Sequence, residues 1–130
     1  MSRDDDVLAA LDRLVAAFGA GDEEAYFACI APEATFVLPG YPRYGSREEY
    51  RAAWRSWVAD GFAVLGCTST DRHVQWVGET ALVTHRVRTA VRVGDDHART
   101  VERETVVLAQ VDGPWLVVHE HLSPAEENSP

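Results

Sequence analysis

Glu104 and Glu120 each stand inside a run that otherwise favours β-strand, ERETVVLAQ at 102–110 and WLVVHEHL at 115–122. Side chains alternate between the two faces of a strand, so Leu116, Val118, Glu120 and Leu122 share one face while Trp115, Val117, His119 and His121 share the other. By the same alternation Glu102, Glu104, Val106 and Leu108 fall together on their strand, and Leu82, Thr84, Arg86 and Arg88 on the one before it. A carboxylate on an apolar face is costly unless it is paired, which leaves two readings of these residues beside a third, that the strand register differs and points them outward. One is an internal ion-pair network with Arg86 or Arg88. The other is chemistry, in which a desolvated Glu104 or Glu120 with a raised pKa acts as general acid or base while Arg86 steadies developing negative charge.

His85, His119 and His121 are expected on the face opposite these groups, where they could approach one another across strands. No carboxylate or cysteine at fixed spacing completes a ligand set, so interface hydrogen bonding beside Trp115 is the simpler reading and no metal is expected. Cys29 and Cys67 lie in apolar contexts without C-x-x-C spacing and read as two buried free thiols. Nothing in the chain requires a cofactor for folding.

The elements that must position these groups are legible from periodicity. Leu8, Leu11, Leu14, Val15 and Phe18 recur at helical spacing after the acidic run Asp4 to Asp6, which favours a helix N-terminus. Asp22 can cap a second, short helix carrying Tyr26, Phe27 and Ile30 on one side and stopped by Pro32. A short strand through Thr35 to Leu38 and a Pro/Gly-rich loop follow, and then Ser46 and Glu49 form a capping box for a third helix. Its buried stripe is Tyr50, Ala53, Trp54, Trp57 and Val58, and Gly61 is its stop. From Phe62 the pattern becomes an antiparallel meander over 62–77, 80–93, 97–111 and 114–122, with turns at Gly78-Glu79, Gly94-Asp95-Asp96 and Asp112-Gly113. Three helices followed by a curved antiparallel sheet imply a segregated α+β roll. Residues 1–123 form the expected domain, and the acidic stretch 124–130 an expected disordered tail.

A chain of 130 residues with 46% hydrophobic and 25% charged content is of the size and composition of one soluble domain. Its net charge of -9 argues against nucleic acid and anionic membranes, both of which require a basic surface. The N-terminus lacks an apolar run of secretory type and no stretch approaches a membrane span, so a cytoplasmic location is expected. Valine and tryptophan on both faces of the sheet leave one face in need of a cover, for which a homodimer or higher oligomer is expected.

Three segments, GDEEAYFACIAPEATFVLPG at 21–40, SREEYRAAW at 46–54 and DGPWLVVHEHLSP at 112–124, resemble SnoaL-like domains of the nuclear transport factor 2-like superfamily. The Trp-x-x-x-His-x-His run is similar to the subgroup related to the calcium/calmodulin-dependent kinase association domain. The resemblance implies a cone-shaped roll of three N-terminal helices on a curved sheet, with the Leu122 side of the last strand facing a pocket. It also implies that the tyrosine and aspartate used by ketosteroid isomerases of this fold are replaced here by Leu14 and Leu38, which can neither donate nor titrate, so that activity is rejected. Of three pocket arginines in the kinase association domains only Arg86 is kept, the other positions being Val106 and Leu122, with the helix aromatic retained as Trp57. The expectation is a cofactor-free small-molecule pocket protein centred on Arg86, Glu104 and Glu120, binding or transforming an apolar ligand with an acidic or carbonyl end. Tyr26, Phe36, Tyr41, Trp54 and Trp57 would supply its aromatic walls, with the loop around Tyr41 as a lid. The alternative is a structural or oligomerisation module whose pocket is vestigial.

Overall fold

The computed structural model describes residues 2–126. Helix α1 (Arg3–Gly19) starts where Ser2 accepts from the Asp5 amide while the Asp5 carboxylate accepts from the Ser2 amide, a reciprocal cap that places three acids at the positive end of the helix dipole. Helix α2 (Glu23–Ala28) is capped by Asp22, whose side chain accepts from Ala25 N–H at 3.1 Å. It ends earlier than expected. Ile30 already opens strand β1 (Ile30–Val37), and Pro32 lies in that strand rather than stopping the helix. The strand tolerates the proline because its pairing with the sheet is interrupted between Ile30 and Thr35.

Helix α3 (Arg47–Ala59) is capped by the Ser46 hydroxyl at the Glu49 amide, 3.1 Å. The Glu49 carboxylate reaches back one residue further than a capping box requires, to Gly45 N–H at 3.0 Å. Tyr50 and Trp54 are buried and Trp57 half-buried, but Val58, expected on the same stripe, is 47% exposed. Strands β2 (Phe62–Val77), β3 (Thr80–Val93), β4 (Asp96–Gln110) and β5 (Trp115–Pro124) form the meander, and β1 adds to it in parallel beside β5, giving the order β1-β5-β4-β3-β2.

The helices cover one face of this curved sheet. Val7, Leu11 and Leu14 of α1 are buried with Phe27, Ile30, Phe36, Val83, Val106, Leu108 and Val117 in one core. The C-terminal end of α1 lies so close to β2 that a Cβ on Gly19 would stand 3.0 Å from the Cys67 amide nitrogen, which is why a residue without a side chain occupies that position. At the other end of the chain, Pro124 pairs with Glu102 and Ala125 N–H donates to the Val101 carbonyl at 2.9 Å. Ordered pairing therefore runs past residue 123, and residues 127–130 of the expected tail lie outside the described residues.

Two irregularities decide which side chains face the helices. The β4–β5 register shifts between Val107 and Leu108, so that Leu108 pairs with Val117. This bulge brings Val117, fully buried, to the same side as Glu120, against the simple alternation that separated them. In β2 the register shifts again between Thr70 and His73, with Asp71 at a φ of 54°.

Candidate functional site

Between the helices and the inner face of the sheet lies a cavity of about 580 Å³. Leu14 and Phe18 from α1, Trp54 and Trp57 from α3, and Phe62, Val87 and Val91 from the sheet make most of its wall apolar. Tyr41 stands over Trp57 with ring centroids 4.9 Å apart and is 51% exposed, so the loop between β1 and α3 forms part of the rim. Deeper in, Tyr26 and Tyr50 join their hydroxyls at 2.9 Å, and Trp54 packs on Tyr26 at 5.4 Å.

Against this wall β4 and β5 set three carboxyl groups, Glu102, Glu104 and Glu120. Glu104 is 9% exposed and Glu120 only 2%. One oxygen of Glu104 lies 2.6 Å from His85 Nε2, and His85 Nδ1 lies 2.7 Å from the Ser69 hydroxyl, so a hydrogen-bonded line Ser69–His85–Glu104 runs across β2, β3 and β4. Burial, and then the charge of Arg72, lowers the His85 pKa to about 4. Burial, and then the Glu102 carboxylate, raises that of Glu104 to about 8. Glu120 is held well above the usual carboxylate range by burial and then by Glu104. The imidazole is thus neutral and the Glu104 carboxyl protonated near neutral pH, with the carboxyl O–H donating to Nε2 and Nδ1–H donating to Ser69. Ionisation of Glu104 reverses both bonds, so the line can take up and return a proton without moving a heavy atom. The Tyr26 and Tyr50 hydroxyls are pushed well above their ordinary pKa by burial and then by Glu120 and stay protonated, one donating to the other.

Of the residues expected to form a site, Glu104, Glu120, Tyr26, Tyr41, Trp54, Trp57 and Leu122 all line the cavity. Phe36 and Val106, both 0% exposed, lie on the same face in the core and do not reach the lining. Arg86 does not line this cavity. It pairs across the sheet with Arg103, on the face opposite the helices, and lines a second depression of about 420 Å³ together with Arg103, His121, His85 and Glu104, so that Glu104 borders both hollows. The group that stands opposite Glu104 is its neighbour His85.

The cause is one residue of turn length. A three-residue turn Gly94-Asp95-Asp96 pairs Val93 with His97 and Arg86 with Glu104, whereas the two-residue turn Gly94-Asp95 pairs Val93 with Asp96 and His85 with Glu104. A slip of one residue exchanges the two faces of β3. Gly94 at a φ of 61° fits the first central position of a two-residue hairpin turn, and that was the signal available in the sequence. His85 is accordingly separated from the other two histidines expected beside it. His119 bonds Thr35 Oγ1 at 2.8 Å, with the His121 ring 6.4 Å away. Among the described residues no three His, Cys, Asp or Glu side chains gather as a metal site. The two cysteines are free and half-buried, and Cys67, on the cavity wall, is raised by burial to about 11.

Comparison with known proteins agrees with this architecture. A ketosteroid isomerase-like protein from Erwinia carotovora atroseptica superimposes with a TM-score of 0.78 at 16% identity, covering 97% of this chain and 99% of that one. A candidate scytalone dehydratase from Novosphingobium aromaticivorans gives 0.83 at 12% identity, over 95% and 84% of the two chains. A candidate calcium/calmodulin-dependent protein kinase II association domain from Xanthomonas campestris gives 0.79 at 18% identity, over 98% and 91%. At these identities the likeness speaks for the fold alone, and no curated protein matches the chain. The model of one family, the SnoaL-like domain, matches residues 7–127. With helices and sheet arranged as in its structural neighbours and a family match over nearly its whole length, the chain belongs to the SnoaL-like domain family of nuclear transport factor 2-like folds.

Proposed function

We propose that this protein binds an apolar small molecule in the cavity and moves a proton on it by cofactor-free acid/base chemistry. The observation that carries the reading is the approach of Glu104 and Glu120, from neighbouring strands, to the wall of an otherwise apolar cavity. Two carboxyls in one low-dielectric site do not ionise together, so the pair has a state in which one is a carboxylate base and the other an acid. Proton abstraction beside a carbonyl, or loss of water from a hydroxy ketone, needs both: the base takes the proton from carbon while the acid protonates the carbonyl or the leaving hydroxyl. Glu104 is the better base because His85 and Ser69 adjust to either of its protonation states. Of Tyr26 and Tyr50, whose hydroxyls bond each other, the one that accepts keeps a free O–H, and that O–H supports donation to developing negative charge on oxygen.

Arg86 has no part in this reading. With it on the other face, an acidic end of the ligand loses the counter-charge that the sequence offered it, and the carbonyl end is retained. Leu14 and Leu38 line the cavity where the resemblance places the tyrosine and aspartate of ketosteroid isomerases, so the polar centre differs from that of those enzymes. Structural neighbours named as a candidate scytalone dehydratase and a ketosteroid isomerase-like protein support this class of chemistry.

The test is exchange of carbon-bound hydrogen in heavy water, followed by mass spectrometry over a panel of apolar cyclic ketones and hydroxy ketones. Exchange above the buffer rate that falls by about two orders of magnitude in Glu104→Gln supports the reading. No exchange over the panel in the folded wild-type protein sinks it.

We also infer that the protein self-associates through the outer face of its sheet. Leu82, Val107, Ala109 and Leu116 form a half-buried strip there, across β3, β4 and β5, that no helix covers. A neighbour named as a kinase association domain supports this second reading.

A further inference from the structure

The charge balance of the cavity restricts what can occupy it. Its described lining holds three carboxyls and no lysine or arginine. Glu120 is only 2% exposed, lines the cavity, and has no side-chain hydrogen-bond partner among the described residues. Around it stand electron-rich rings, with Tyr26 and Tyr50 both electrostatically sensitive to its charge and Trp54 packed against Tyr26. A ligand carboxylate entering here would meet no cation in the lining and would oppose ionisation of the carboxyls, whereas a positive group would find carboxyls that it can ionise and ring faces.

We propose that the ligand of this cavity is an apolar amine, whose protonated nitrogen lies between Glu104 and Glu120 against the rings of Tyr26, Tyr50 and Trp54. This deepens the acid/base reading and rests on it. The working state of a carboxyl pair, one acid and one base, carries a net negative charge that the apolar wall does not stabilise; the ammonium group supplies the missing positive charge. Binding then ionises one carboxyl and releases its proton to solvent, so that the base is generated only when the ligand is in place. The titratable groups facing the pair are Glu102 on β4, His85 on β3, Cys67 on β2, Tyr26 on α2 and Tyr50 on α3. Arg72 of β2, whose charge acts on His85, is tied to Asp12 at 2.7 Å and to the Leu8 carbonyl at 3.3 Å, and Arg86 and Arg103 reach Glu104 only from the second depression, outside this cavity's lining. The net charge of -9 on the whole chain further concentrates cations near the mouth.

Isothermal titration near neutral pH with naphthylethylamine, naphthylethanol and naphthylacetate separates the possibilities, because the three share one apolar body and differ in charge. The expected result is an amine at least about tenfold tighter than the alcohol, no acetate binding, and a heat for the amine that differs between phosphate and Tris by the enthalpy of taking up the released proton. In Glu120→Gln the amine should lose that advantage while the alcohol still binds, which also reports that the variant is folded. Alcohol or acetate binding as tightly as the amine, or an amine that binds without releasing a proton, overturns the proposal and leaves the acid/base reading standing. If none of the three binds and no ketone exchanges hydrogen in heavy water, both fall.

Discussion

Glu104 enters the folded state with a pKa raised from 4.5 to about 8, and that shift has a thermodynamic consequence away from any ligand. A group that holds its proton more tightly folded than unfolded contributes stability that is fully present below pH 4.5 and is lost as pH rises towards 8. His85, lowered from 6.5 to about 4, acts in the opposite sense, its contribution being present above pH 6.5 and lost as pH falls towards 4. Above pH 6.5 only the carboxyl effect remains, so stability measured by urea unfolding should fall most steeply between pH 6.5 and 8. Glu104→Gln keeps a donor for His85 but has no proton to lose, and should flatten the slope there by up to about 1.4 kcal/mol per pH unit. An unchanged slope would mean that Glu104 is already ionised in the folded protein. The two glutamates were legible in the sequence because a carboxyl inside a valine- and leucine-rich strand is anomalous wherever it points. His85 was not, because whether a histidine on a strand meets that carboxyl depends on a register that the histidine itself does not encode.

The register belongs to the element scale, where the short-range signals differ in strength. Helices α1 and α3 were readable almost to their ends, since apolar spacing, the acidic run at the start of α1 and the Ser46 cap of α3 act within a few residues. The meander was also readable, with Gly78 and Gly94, at φ of 60° and 61°, marking its two tight turns. What escaped was the count of residues in the second turn and the bulges in β2 and β5, each of which inverts the faces downstream of it. Gly94 therefore does more than connect two strands: it fixes which face of β3 carries His85. Gly94→Ala should destabilise the fold by about 1–2 kcal/mol in urea unfolding, since an L-residue is strained in that left-handed backbone conformation. A change within error would show that the hairpin register is held by the strands and not by its turn.

For the whole molecule the helices and the carboxyl-lined cavity occupy one side of the sheet, and the other side carries a strip of Leu82, Val107, Ala109 and Leu116 flanked by Arg86, Arg103 and His121. The charged flank is as informative as the strip. Aliphatic residues at the centre with arginine and polar groups at the margin fit the proposed self-association. If two copies meet there, multi-angle light scattering should give about twice the chain mass of 14.4 kDa. Val107→Glu, which places a carboxylate in the middle of the strip, should then return the monomer at the same concentration. The cavity lies on the far side, so the monomeric variant should bind the naphthyl probes as the wild type does. A wild-type monomer would overturn the self-association. Loss of binding in a folded monomeric Val107→Glu would show instead that the cavity depends on the dimer, because the strands that present Glu104 and Glu120 inward are the same strands that present the strip outward.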